Sequence, residues 1–81
     1  VELGAIVAAN IRAERARRRW KQAELAARLG VGWDQSKISD VEGGRREVRL
    51  GELPGFCRAL DVPLLKLLEG TEPHDREALG I

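Results

Sequence analysis

Gln35, Ser36, Lys37 and Ser39 share one short stretch, and Arg45 and Arg46 follow directly after a pair of glycines. Amide and hydroxyl groups both donate and accept hydrogen bonds, whereas guanidinium and ammonium groups only donate. A cluster that mixes the two kinds suits a ligand with hydrogen-bonding edges beside anionic groups, and duplex DNA is such a ligand. Other chemistries find little support. The one histidine, His74, and the one cysteine, Cys57, are far apart in sequence. They are a poor basis for a nucleophile–base pair or a metal site. Cys57 reads as a small buried apolar residue, and a single cysteine excludes an internal disulfide and fits a reducing cytoplasm. No glycine-rich phosphate loop opens a helix. Neither an enzyme nor a cofactor is expected.

Helices joined by tight corners must present the cluster. Leu3, Ile6, Val7 and Ile11 recur at helical spacing, which predicts a first helix over residues 2–18, ending near Arg19 and Trp20. Trp20 is expected to plug the space between this helix and the next. A second helix, Gln22 to Leu29, turns Leu25, Ala26 and Leu29 inward. Gly30 suits the positive φ that closes a helix, and Val31 is expected to return to the core. Asp34 is a good N-cap for a third helix, Gln35 to Glu42, with Ile38 and Val41 facing inward. Gly43 and Gly44 stop it.

Val48 to Leu60 reads as a fourth helix with an apolar stripe of Leu50, Leu53, Phe56, Cys57 and Leu60. Proline is comfortable only in a first turn, so this helix starts near Leu53 or bends at Pro54. Leu64 to Glu69 completes the set, and residues 71–81 form an acidic, weakly patterned tail, either disordered or docked. The expectation is a compact all-α domain of five helices over residues 1–70, with a polar tail over 71–81.

Composition bounds the rest. Eighty-one residues with 43% hydrophobic content make one domain near the lower limit for a self-sufficient core. Only Trp20, Trp33 and Phe56 are aromatic, so the core must be aliphatic. No window approaches the roughly 18 apolar residues of a membrane span, and no signal-peptide pattern is present. The net charge of +1 conceals segregation. From Arg12 to Arg49 eleven basic residues oppose six acids, whereas from Leu50 onward three oppose six. A dipolar molecule of this kind presents its basic half to phosphate. A merely solvated helix face is the plainer account of the same charges.

The run Gln22-Ala-Glu-Leu25-Ala26, Leu29-Gly30-Val31, followed by Gln35-Ser36-Lys37-Ile38-Ser39, Val41-Glu42, Gly44 and Arg46, resembles the phage repressor/Cro-like helix-turn-helix family, also called the xenobiotic-response-element type. The likeness extends from about Val7 to Leu68. It implies a lambda-repressor-like domain with its helix-turn-helix at helices two and three, the third helix entering the major groove of double-stranded DNA. By the same likeness, Gln35, Ser36, Ser39 and Asp40 match base-contacting positions, glutamine pairing bidentately with adenine and aspartate accepting from cytosine. Gln22, Trp33, Lys37, Arg45 and Arg46 fall to the phosphate backbone, supplying affinity and salt dependence. Arg15 and Glu42 match a buried structural ion pair. Arg17, Arg18 and Arg19 either add to the field or only solubilise the first helix. The resemblance also implies a bacterial or phage transcriptional regulator, a repressor in the cytoplasm at the nucleoid, dimeric through its C-terminal helix region. No effector domain is evident.

The chain departs from the family at the corner. Gly32-Trp33-Asp34 makes the turn two residues longer than usual, leaving the register of Gln35 and Ser36 open by one residue. Trp33 there either covers the corner as apolar packing or meets the sugar-phosphate backbone. Lys21 stands where a capping Ser or Thr is customary, Arg19 where Gly is common, and Glu14 where Leu is frequent. A second use of the fold competes with DNA binding: an adaptor or antitoxin whose main ligand is a protein, engaged through the leucine-rich end at Leu64, Leu65, Leu67 and Leu68.

Overall fold

The structure, a computed structural model, describes residues 2–81. Among them six α-helices form: α1 Leu3–Arg17, α2 Gln22–Leu29, α3 Gln35–Glu42, α4 Leu53–Leu60, α5 Leu64–Leu67 and α6 Pro73–Leu79. A single 3-10 turn, Leu50–Glu52, precedes α4. The order and spacing of apolar residues explain the packing. Val7 and Ile11 from α1, Leu25 and Ala26 from α2, Ile38 and Val41 from α3, Phe56 and Leu60 from α4, and Leu67 all converge on one buried cluster. Burying such side chains contributes roughly 1.5–3 kcal/mol each, before the conformational entropy that folding costs.

Local signals set the ends of the two central helices. Gly30 closes α2 at φ 93°, a conformation that costs glycine little. The Asp34 carboxylate accepts from the Lys37 backbone N–H at 2.8 Å and starts α3. Lys21 offers α2 no side-chain cap, because an ammonium has no lone pair. The Lys21 N–H instead donates to Glu24 Oε1 at 3.1 Å, half of a capping box. Pro54 sits in the first turn of α4, so the helix begins at Leu53 and does not bend.

Four expectations are corrected. Val31 does not return to the core; it is fully exposed. The three residues Gly32-Trp33-Asp34 carry the chain back, and Trp33 rather than Val31 packs against the cluster. Leu50 does not belong to the α4 stripe, because it lies in the 3-10 turn and is 83% exposed. The last predicted helix is one turn, Leu64–Leu67, and stops short of Glu69. Beyond it, the tail adds a sixth helix, started by Pro73 and closed by Gly80 at φ 75°. It buries none of its residues, so its pattern carries no apolar face to read from sequence.

Polar side chains tie the outer helices together. Asn10 on α1 donates to the Leu67 and Glu69 carbonyls at 2.7 and 2.9 Å, which satisfies the orphan end of α5. Arg18 bonds Glu14 and reaches the Leu60 carbonyl at the end of α4. That bond gives Arg18 a fastening role and removes it from the solvated face. Arg19 adopts φ 59°, a left-handed conformation that explains why a glycine is favoured there.

Candidate nucleic-acid interface

The first turn of α3 carries the exposed side chains of Gln35 and Ser36, with Ser39 and Asp40 one turn further on and half-buried. What positions this face begins in the core. Arg15 on α1 makes a two-pronged bond to Glu42 at the end of α3, Nε to Oε2 at 2.7 Å and Nη2 to Oε1 at 2.9 Å. Its remaining nitrogen, Nη1, donates to the Trp20 carbonyl at 2.7 Å. Side-chain exposure is 15% for Arg15 and 4% for Glu42, so the pair is largely shielded from water.

The pair extends outward through two amides. Gln22 Nε2 donates to Glu42 Oε1 at 3.2 Å, and Gln35 Nε2 donates to Gln22 Oε1 at 3.1 Å. Because a carboxylate only accepts, Gln22 must turn its NH2 toward Glu42 and its carbonyl toward Gln35. Gln35 must then offer its NH2 to Gln22. This leaves the Gln35 carbonyl and its second amide hydrogen facing away from the relay. A chain of bonds from the half-buried Arg15 thus sets the polarity of an exposed amide.

The basic residues divide into different environments. Arg45 bonds Asp40 Oδ1 at 3.0 Å and donates to the Ser39 carbonyl and hydroxyl, in an exposed pairing worth little in water. Together with Arg12, Gln22 and Ser39 it borders a polar cleft of about 250 Å³ between α1 and α3. Lys37 turns back to the corner, donating to the Gly32 carbonyl at 2.5 Å. Arg46 is not free. Its fork grips Glu52 at 3.0 and 2.7 Å, and its guanidinium lies 5.0 Å from the centre of the Trp33 ring. The Arg46 bond, first, holds the Glu52 carboxyl below its ordinary pKa.

Trp33 is half-buried, edge-on to Phe56 with ring centroids 5.1 Å apart. Sequence reasoning missed Glu52 and Arg12. Glu52 lies in a 3-10 turn with no helical spacing to mark it, and Arg12 counted only toward the overall charge. Trp20 has two cations beside its ring, Arg28 at 3.9 Å and Arg18 at 5.8 Å from its centre, and packs partly against the core. Burial pushes the Cys57 thiol pKa up, which keeps it neutral beside the α4 core. Among the described residues no group of three or more His, Cys, Asp or Glu is gathered to hold a metal. Nor is any described helix long and apolar enough to cross a membrane.

An α2–corner–α3 unit with its polar face outward, packed on α1 and α4, defines a helix-turn-helix domain. Residues 6–69 match the helix-turn-helix domain family, and the chain belongs to it. Over 69 residues it is 39% identical to an uncharacterised HTH-type transcriptional regulator of Sinorhizobium fredii. The match takes in 85% of this chain but 34% of the relative, so the chain spans about a third of that protein's length. It is also similar to the crystal structure of a hypothetical transcription factor from Neisseria, at 33% identity and a TM-score of 0.74. That alignment covers 96% of this chain and 85% of the Neisseria chain.

Proposed function

We propose that the chain is a DNA-binding transcriptional regulator that inserts α3 into the major groove of double-stranded DNA, and that it acts as a repressor. The observation that carries this reading is the relay from Arg15 through Glu42 and Gln22 to Gln35. It presets one exposed amide with an acceptor and a donor facing outward, the pair that adenine requires in the major groove. Both relatives are named for transcriptional control, which supports the same class.

In this reading Gln35 and Ser36 read base edges, with Ser39 and Asp40 adjoining them. Gln22, Lys37 and Arg45 approach phosphate, and the exposed Arg45 gives up a weak pairing with Asp40 to do so. Residues 1–70 form the binding unit and 71–81 an appended tail. The unit works in the cytoplasm on the nucleoid, as a homodimer on a pseudo-palindromic operator.

A specific observation also favours a protein ligand: of the leucine-rich end, Leu67 and Leu68 are buried in the core, but Leu64 and Leu65 are exposed, as is Leu50. A second copy of the chain accounts for them within the DNA reading. The deciding experiment is selection from a random duplex pool together with a mass measurement. Enrichment of an inverted repeat bound by a dimer is expected. No enrichment even at low salt, alongside tight binding to a cellular protein, would reject DNA as the principal ligand.

A further inference from the structure

We infer that Trp33 is a positioning residue for the groove-facing end of α3, held in place by Arg46, Glu52 and Phe56. The inference rests on the DNA-binding reading and gives the lengthened corner a role within it. Three separate elements meet on the indole. Phe56, wholly buried in α4, meets Trp33 in a T-shaped contact at an interplanar angle of 80°. Arg46, from the segment after α3, stands 5.0 Å from the ring centre. Lys37, on α3 itself, stands 5.8 Å from it and bonds the Gly32 carbonyl within the corner.

Arg46 is in turn fixed by two bonds to Glu52, and Glu52 also accepts from the Arg49 N–H at 2.8 Å. The corner is therefore tied to α4 and to the segment before it as well as to α3. A tryptophan in so short a turn has two rotatable side-chain bonds, so fixing its ring fixes the backbone that carries it. Asp34 and Gln35 come next in the chain, and Asp34 caps the helix that presents Gln35 and Ser36. The longer corner thus packs an aromatic ring, with cations beside it, against the core while Val31 stays in solvent. Arg46 serves here as a brace and not as a phosphate anchor.

The test uses the full chain and its Trp33→Ala, Trp33→Phe and Arg46→Gln variants, titrated by fluorescence anisotropy. Each binds the duplex selected by the parent and a scrambled duplex over a range of salt. With the brace removed, Trp33→Ala and Arg46→Gln should weaken binding to the selected duplex by about tenfold while weakening scrambled binding little. The dependence of log K on log salt should keep the parent slope, and Trp33→Phe should recover most of the affinity. If Arg46→Gln weakens both duplexes alike and flattens the slope by about one, Arg46 is a phosphate anchor and the inference falls.

A second readout needs no DNA. Amide exchange at Lys37 and Ile38, whose N–H groups bond Asp34, should accelerate in Trp33→Ala, while core amides such as Ile11 keep their parent protection. Uniform acceleration throughout the chain would mean a merely structural tryptophan and would overturn the inference. If the parent selects no duplex, DNA binding fails as a reading, and the exchange result still decides whether Trp33 orders the start of α3.

Discussion

Gln35 shows how a buried charge reaches an exposed side chain. Its outward polarity is inherited, through the single amide of Gln22, from the carboxylate of Glu42. Gln35→Ala should therefore cost about 1–3 kcal/mol at one base position of the selected site and relax the preference there, leaving other positions intact. Comparing parent and variant in duplex selection checks this. A uniform loss across all positions would contradict base reading by Gln35. Glu14 belongs to the same scale. It is buried on α1 and bonded by Arg18 and Arg17, and the Arg18 bond, first, lowers its pKa. A depressed folded pKa contributes stability that is present above the unfolded carboxyl pKa of about 4.3 and lost as pH falls through the lower folded value. Chemical denaturation of parent and Glu14→Gln should thus show a stability difference at neutral pH that shrinks below about pH 4.

At the scale of elements, the ends of α2 and α3 follow from single residues. The Asp34 cap satisfies one donor of the first turn of α3. Asp34→Ala should destabilise the domain by about 1 kcal/mol in urea titration, and the stability should be recovered largely by Asp34→Ser or Asp34→Asn. No change in Asp34→Ala would mean that tertiary packing alone starts the helix. The contrast with α6 is physical. Pro73 and Gly80 mark its ends, but without a buried face its sequence lacks the apolar rhythm by which α1 to α4 are recognised. The 3-10 turn before α4 is similar: Pro54 locates the start of the helix, whereas the displacement of Leu50 to the surface depends on how the preceding segment packs.

Across the whole molecule, basic and acidic residues are segregated along the chain. The basic residues concentrate around α1 to α3 and the acidic ones toward the C-terminus, while Leu64 and Leu65 stand exposed beside the latter. Under the proposed function, that arrangement suits a dimer joined away from the face that meets DNA. Because Leu65 is 58% exposed, Leu65→Glu should leave the fold intact but lower the mass measured in solution from dimer to monomer. Binding to an inverted repeat should weaken far more than binding to a single half-site, as expected when the second contact ceases to be intramolecular. A dimer that survives the substitution would place the contact elsewhere.

The sequence by itself determined the helical class, the inward faces of α1 to α3, and where α2 ends and α3 begins. These depend on residues close together: Leu25 and Ala26, Gly30, Asp34, Ile38 and Val41. Tertiary structure alone decided which polar groups are available to a ligand. Arg45 and Arg46 are adjacent and chemically identical, yet one makes an exposed bond to Asp40 while the other is gripped by Glu52 and laid against Trp33. Val31 likewise departs from its expected place, and of the two readings of Trp33 folding selects apolar packing, because Phe56 presents the buried surface against which an indole packs. Local spacing sets backbone conformation, whereas partners brought together by folding set the state of each side chain.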